Sequence, residues 1–114
     1  MPNKTSKTRT YQRTLAFVNK ARRSLGRKPL KRLPHGGIDP TSCPIARALD
    51  PRSTGNIEVV GREIEDFDPM IANKLRQCKL FQNLDDTLFK GPSYLNEFVT
   101  LHDEKNAYGL QTDS

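Results

Sequence analysis

Residues 56–67, NIEVVGREIEDF, hold the chain's one convincing strand signal and decide its fold class. Ile57 and Val59 alternate with Glu58, as in a strand with one buried face. Gly61 then interrupts, and the apolar phase moves to Val60 and Ile64, as at a bulge or bend. One or two short strands fit. A lone strand pair is marginal in water, so it must rest on helices. The expected fold is therefore α+β and mainly α, with three to four helices packed around one short β-hairpin and a basic N-terminal arm.

Outward from the hairpin, the helices announce themselves by their ends. Asp68-Pro69 reads as a cap followed by a first-turn proline, opening a helix to about Leu80 with Ile71, Leu75 and Cys78 inward. A second amphipathic stretch continues through Phe81, Leu84 and Leu88 until Gly91-Pro92 breaks it. The last helix is expected from Ser93 to Lys105, with Tyr94, Leu95, Phe98, Val99 and Leu101 facing the core. Upstream, SCPIARALD (42–50) places Pro44 at a first helical position, Cys43 as cap, and Ile45, Ala46, Ala48 and Leu49 on the buried side.

The N-terminal third is of another character. Positions 1–33 carry eleven Lys and Arg and no acidic residue, for a charge of +11. Positions 34–114 carry eight basic and thirteen acidic residues, for −5, which leaves the chain at +6. Residues 1–9 read as a flexible basic tail, and residues 10–110 as a single domain. Within it, 10–25 form an amphipathic helix stopped by Gly26 and 26–42 form a Pro/Gly-rich connector pinned by Leu30 and Leu33; beyond it, 111–114 are a loose end. At about 100° per residue, Tyr11, Leu15, Val18, Ala21 and Leu25 gather on one side of the helix, with Phe17 at the edge. Arg9, Arg13, Lys20 and Arg23 gather on the opposite side, and only Arg22 falls in the apolar arc.

The chain has 114 residues, a mean hydropathy of −0.72 and no Trp, which bounds it to one domain with a modest core. It has no apolar run of the roughly 18–20 residues that cross a bilayer, and no secretory signal. Its two cysteines, Cys43 and Cys78, make no disulfide framework, which suits a reducing cytoplasm. The Arg-rich start also has the composition of a mitochondrial presequence.

Two blocks resemble a known group. LPHGGIDPTSCPIARAL (33–49) and LNEFVTLHDEKNAYGL (95–110) are similar to short uncharacterised proteins of actinobacteria and their phages, which share a CPxARAL-like block and an FVxxFDxGxYPxL-like ending. Phe98, Val99, Leu101, Asp103 and Tyr108 follow that ending, whereas His102, Asn106-Ala107 and Gly109 depart from it. The resemblance implies a prokaryotic or phage cytoplasmic origin. It brings no activity and no site residues.

Such a charge asymmetry points to a polyanionic or acidic partner. The expected function is non-catalytic binding, as an accessory or regulatory factor that contacts nucleic-acid phosphates (DNA or RNA). The candidate contacts are Lys4, Lys7, Arg9, Arg13, Lys20 and Arg23 from tail and helix, with Arg27, Lys28, Lys31 and Arg32 from the connector. No helix-turn-helix, RNP, KH or zinc-finger pattern is present, so backbone contact without sequence readout is expected. The alternative is a protein-interaction module docking on an acidic host protein. The bland reading is a solvated tail, or one paired with the acidic run Glu63, Glu65, Asp66 and Asp68. The apolar side of the helix also suits a membrane surface, but a core this small needs it.

No catalytic residues, cofactor or metal are expected. Cys43 at a helix N-terminus is the one candidate nucleophile, with His35 upstream as a conceivable base. His35, Cys43, Cys78 and His102 lack the close spacing of zinc ligands. Gly36-Gly37 lacks the Gly-Lys-Ser/Thr continuation of a phosphate loop.

Overall fold

The computed structural model describes residues 2–50, 52 and 54–111, with the side chains of the first helix given from Lys7 onward. Four helices and a four-stranded antiparallel sheet are present among them: α1 (Pro2–Ser24), α2 (Pro44–Leu49), β1 (Ile57–Val60), β2 (Glu63–Asp66), α3 (Pro69–Gln77), β3 (Gln82–Asn83), β4 (Leu88–Lys90) and α4 (Ser93–Lys105). The fold is α+β and mainly α, as the sequence leads one to expect.

The stretch 56–67 forms a hairpin. Ile57 pairs with Asp66 and Val60 with Glu63, leaving Gly61 and Arg62 as a two-residue turn. Gly61 takes a φ of +62°, a left-handed conformation that glycine adopts without strain. The phase change is therefore a turn and not a bulge, and Val60 points to solvent at 64% exposure. Ile57, Val59, Ile64 and Asp66 form the inward face, so one member of the acidic run Glu63, Glu65, Asp66 and Asp68 is fully buried.

The sheet is larger than one hairpin, with order β1-β2-β4-β3. The expected amphipathic helix over 81–88 is instead the β3–β4 pair, with Gln82 opposite Lys90 and Asn83 opposite Phe89. Asn83, Asp85, Asp86 and Thr87 are poor helix formers that favour turns, and β4 gains the open edge of β2, where Ile64 pairs with Phe89. Phe89 is fully buried as a result.

α1 starts at Pro2, ahead of the expected start at Thr10. The segment 2–9 lacks apolar periodicity, which hides it from a wheel, yet nothing between Pro2 and Gly26 breaks a helix. The helix is also held from outside, since the Tyr108 hydroxyl donates to the Lys7 carbonyl at 3.0 Å. Its buried stripe runs through Thr10, Thr14, Phe17, Val18, Ala21 and Leu25, with Tyr11 and Leu15 half-buried beside it. Arg22, the basic residue in the apolar arc, is buried and structural. Its Nε donates to the Lys28 carbonyl at 2.8 Å and its Nη1 to the Ala48 carbonyl at 2.7 Å, near the C-terminus of α2.

The connector runs back along α1. The Asn19 amide brackets Leu30, donating to its carbonyl at 2.9 Å and accepting from its N–H at 2.7 Å, while the Leu33 N–H donates to the Tyr11 hydroxyl at 2.9 Å. Gly36 forms a parallel bridge with Gln111, and a Cβ at Gly36 would sit 2.4 Å from the Ser42 carbonyl. Gln111 is thus anchored and not loose; its side-chain amide also donates to the carbonyls of His102 and Asp103. Residues 112–114 lie outside the described residues.

Candidate functional site

The side of α1 that carries Arg13 and Lys20 faces a cleft of about 540 Å³. These two residues are seven apart, so they stand about 10 Å apart along one side of the helix. The opposite wall comes from three segments of the acidic part of the chain: Arg62 in the β1–β2 turn, Lys79 after α3, and Lys90 at the end of β4. Phe17, Leu80, Pro92 and Tyr94 supply its apolar lining.

Local structure fixes each wall. Arg62 is clamped to the exit of β4, its Nε donating to the Gly91 carbonyl and its own carbonyl accepting from the Gly91 N–H, both at 2.8 Å. A Cβ at Gly91 would fall 2.5 Å from Leu95 Cδ1, so a side chain there would have to displace the end of the buried Leu95. Lys79 ends α3 with a φ of +60°. That left-handed position after a helix is usually glycine, and a side chain there costs about 1–2 kcal/mol. Strain of this kind concentrates at functional positions. The guanidinium of Arg13 lies 5.9 Å from the centroid of the Tyr94 ring, and burial holds the Tyr94 phenol above its ordinary pKa, with Arg13 opposing the shift.

Five cations and no carboxylate line this cleft. Glu63 is the cross-strand neighbour of Lys90, yet among the described residues no Lys or Arg nitrogen comes within 4.0 Å of a carboxylate oxygen. Among the described residues, the basic arm makes no ion pair with Glu63, Glu65, Asp66 or Asp68.

The other candidate contacts divide among different places. Lys7 and Arg32 meet on the other flank of α1, where they share a shallow cavity with His35, Tyr11 and Tyr108. Burial pushes the Tyr108 phenol up to about 12, and the Lys7 ammonium lies 5.8 Å from its ring centroid. Arg27 and Lys28 border a third cavity, of about 660 Å³, together with Asp50, Asp66 and Asp68. Arg27 is committed there, donating to the Leu49 carbonyl. Arg9, Arg23 and Lys31 are exposed and line none of the three cavities. The side chain of Lys4 lies outside the described residues.

Sequence reasoning therefore found one wall and missed the other. Arg62, Lys79 and Lys90 carry no local signal, because they are scattered singly over three separate segments of the net-acidic part of the chain.

Cys43 caps α2 as expected, accepting from the Ala46 N–H at 3.4 Å, but it is only 2% exposed. Burial pushes its thiol up to about 11, outweighing the hydrogen bonds from Ala46 and Ile45 that favour thiolate. His35 opens instead toward Lys7 and Arg32, and among the described residues no hydrogen bond joins it to Cys43. No three His, Cys, Asp or Glu side chains among the described residues are gathered as metal ligands. No described helix is long and apolar enough to cross a membrane. Compared with known proteins, the chain matches no family model, no curated protein and no solved structure.

Proposed function

We propose that the chain is a non-catalytic nucleic-acid-binding protein that holds the phosphate backbone in the cleft between α1 and the β1–β2 turn. One observation carries this reading. Five Lys and Arg from four separate segments converge on one concavity whose lining includes no acidic residue. Bringing like charges together costs free energy in the isolated protein, and a polyanion entering the cleft removes that cost while releasing its own counterions. Arg9 and Arg23, exposed on the same side of α1, extend the surface beyond the cleft. Arg and Lys recognise phosphate by charge and by forked hydrogen bonding, without reading sequence.

The test is a fluorescence-anisotropy titration with generic DNA and RNA over a salt series. If all five cations engage phosphates of a single strand, the log-log slope should be about −3.5, an affinity loss of about 100-fold between 50 and 200 mM salt. Neutralising Arg13, Lys20, Lys79 and Lys90 to Gln together should remove most of the slope. An absence of binding at low salt to every polymer tested would refute the reading. Retention of a single protein after nuclease treatment of a pull-down would favour an acidic protein surface in its place.

A further inference from the structure

We infer that the cleft takes a single strand and not a duplex, with an unstacked base lying against the surface made by Tyr94 and Arg13. The inference rests on the nucleic-acid reading above and concerns the same site.

The cleft offers more than charge. Phosphate contact alone needs cations on a ridge or a flat face, as when a helix lies along a duplex. Here Arg13 and Lys20 from α1 and Arg62, Lys79 and Lys90 from three other segments share one concavity, and Phe17, Leu80, Pro92 and Tyr94 line it with them. Phe17 is nearly buried and meets Tyr94 edge-on at 6.4 Å, which fixes the tyrosine ring on the cleft wall. At about 540 Å³ the concavity is of the size that holds a small organic molecule, and a nucleotide fits that range.

A duplex cannot use that lining. Its bases are paired and stacked, so only their edges are available in the grooves, and their faces are hidden. In a single strand each base has a free face, and stacking on aromatic side chains or guanidinium planes tolerates every base. The half-buried Tyr94 and Arg13, whose guanidinium lies 5.9 Å from the ring centroid, both line the cleft and supply the two kinds of surface next to each other. Gln82 is the one side-chain amide that lines the cleft, too little to read base edges. Binding is then strong in charge and stacking and weak in sequence preference.

The experiment compares a 20-nucleotide strand, as DNA and as RNA, with the duplex of the same sequence, by anisotropy at one low salt concentration. The expected result is single-strand binding about tenfold tighter or more. Tyr94→Leu keeps an apolar contact for Phe17 but removes the stacking face, and should weaken single-strand binding by about fivefold or more while leaving the salt slope unchanged. Circular dichroism of the variant establishes that it folds, and Tyr94→Phe, which keeps the ring, should bind as the parent does. Equal or tighter duplex binding, or full single-strand affinity in a folded Tyr94→Leu variant, overturns the inference and leaves the phosphate-binding reading standing. No binding to either form overturns both.

Discussion

Replacing Asp66 with Asn should stabilise the protein at neutral pH, because the native fold holds this carboxyl where its charge is poorly served. Asp66 is fully buried at the end of β2; its Oδ1 accepts from the Asp68 N–H at 2.8 Å, while its Oδ2 has no hydrogen-bond partner. Burial first, with the nearby Asp68 and Asp50 carboxylates, raises its pKa from 3.8 to about 6, against the smaller opposing effects of the Asp68 N–H and of Arg27. Well below pH 3.8 the group is protonated in both folded and unfolded chains and contributes nothing to pH dependence. Between the two values the folded protein keeps a proton that the unfolded chain has released, so stability falls as pH rises through this window. Above pH 6 the loss is complete. At about 1.4 kcal/mol per pH unit it amounts to about 3 kcal/mol.

Asn is neutral at every pH and keeps an acceptor for the Asp68 N–H. Asp66→Asn should therefore gain between about 1 and 3 kcal/mol at pH 7, the lower figure allowing for a weaker hydrogen bond to an amide than to a carboxylate. Urea unfolding of both proteins at pH 7 and at pH 4 isolates the effect, since the other carboxylates are common to the pair. The gain should be present at pH 7 and nearly gone at pH 4. A variant less stable than the parent at pH 7, or one with the same difference at both pH values, would refute the reasoning.

Lys79→Gly should relieve the left-handed backbone after α3 and stabilise the fold by about 1 kcal/mol, less the added freedom of the unfolded chain, while weakening nucleic-acid binding several-fold. Urea unfolding and anisotropy on the same sample check the opposed signs. Cys43, buried and with its thiol near 11, should react with iodoacetamide at neutral pH more slowly than the half-buried Cys78. Mass spectrometry of the labelled protein reads the order, and a faster Cys43 would restore it as a candidate nucleophile.

What the sequence discloses follows from how local each signal is. The starts of α2, α3 and α4 are legible because a cap or a breaker precedes each, as Asp68 accepts from the Met70 N–H at 3.0 Å. The β3–β4 pair is not, since Phe81, Leu84 and Leu88 repeat at helical spacing and the turn-forming residues between them decide against a helix only together with the distant edge of β2. Asp66 was legible in principle. It lies two residues beyond Ile64 on the same strand, so the alternation that turns Ile64 inward turns Asp66 inward as well. The cleft divides along the same line. Arg13 and Lys20 follow from the helical wheel, whereas Arg62, Lys79 and Lys90 reach it through the hairpin turn, the end of α3 and the β4 pairing.

The hydroxyl of Tyr108 on the carbonyl of Lys7 joins residues 101 positions apart, and α1 packs on α4 across a comparable separation. Contacts of such range impose a loop-closure cost before they yield stability, and they slow folding relative to a bundle of sequence neighbours. The basic helix therefore settles among its partners late. During synthesis it emerges ahead of the partners that secure it, so its positive charge meets the cell before the fold directs it.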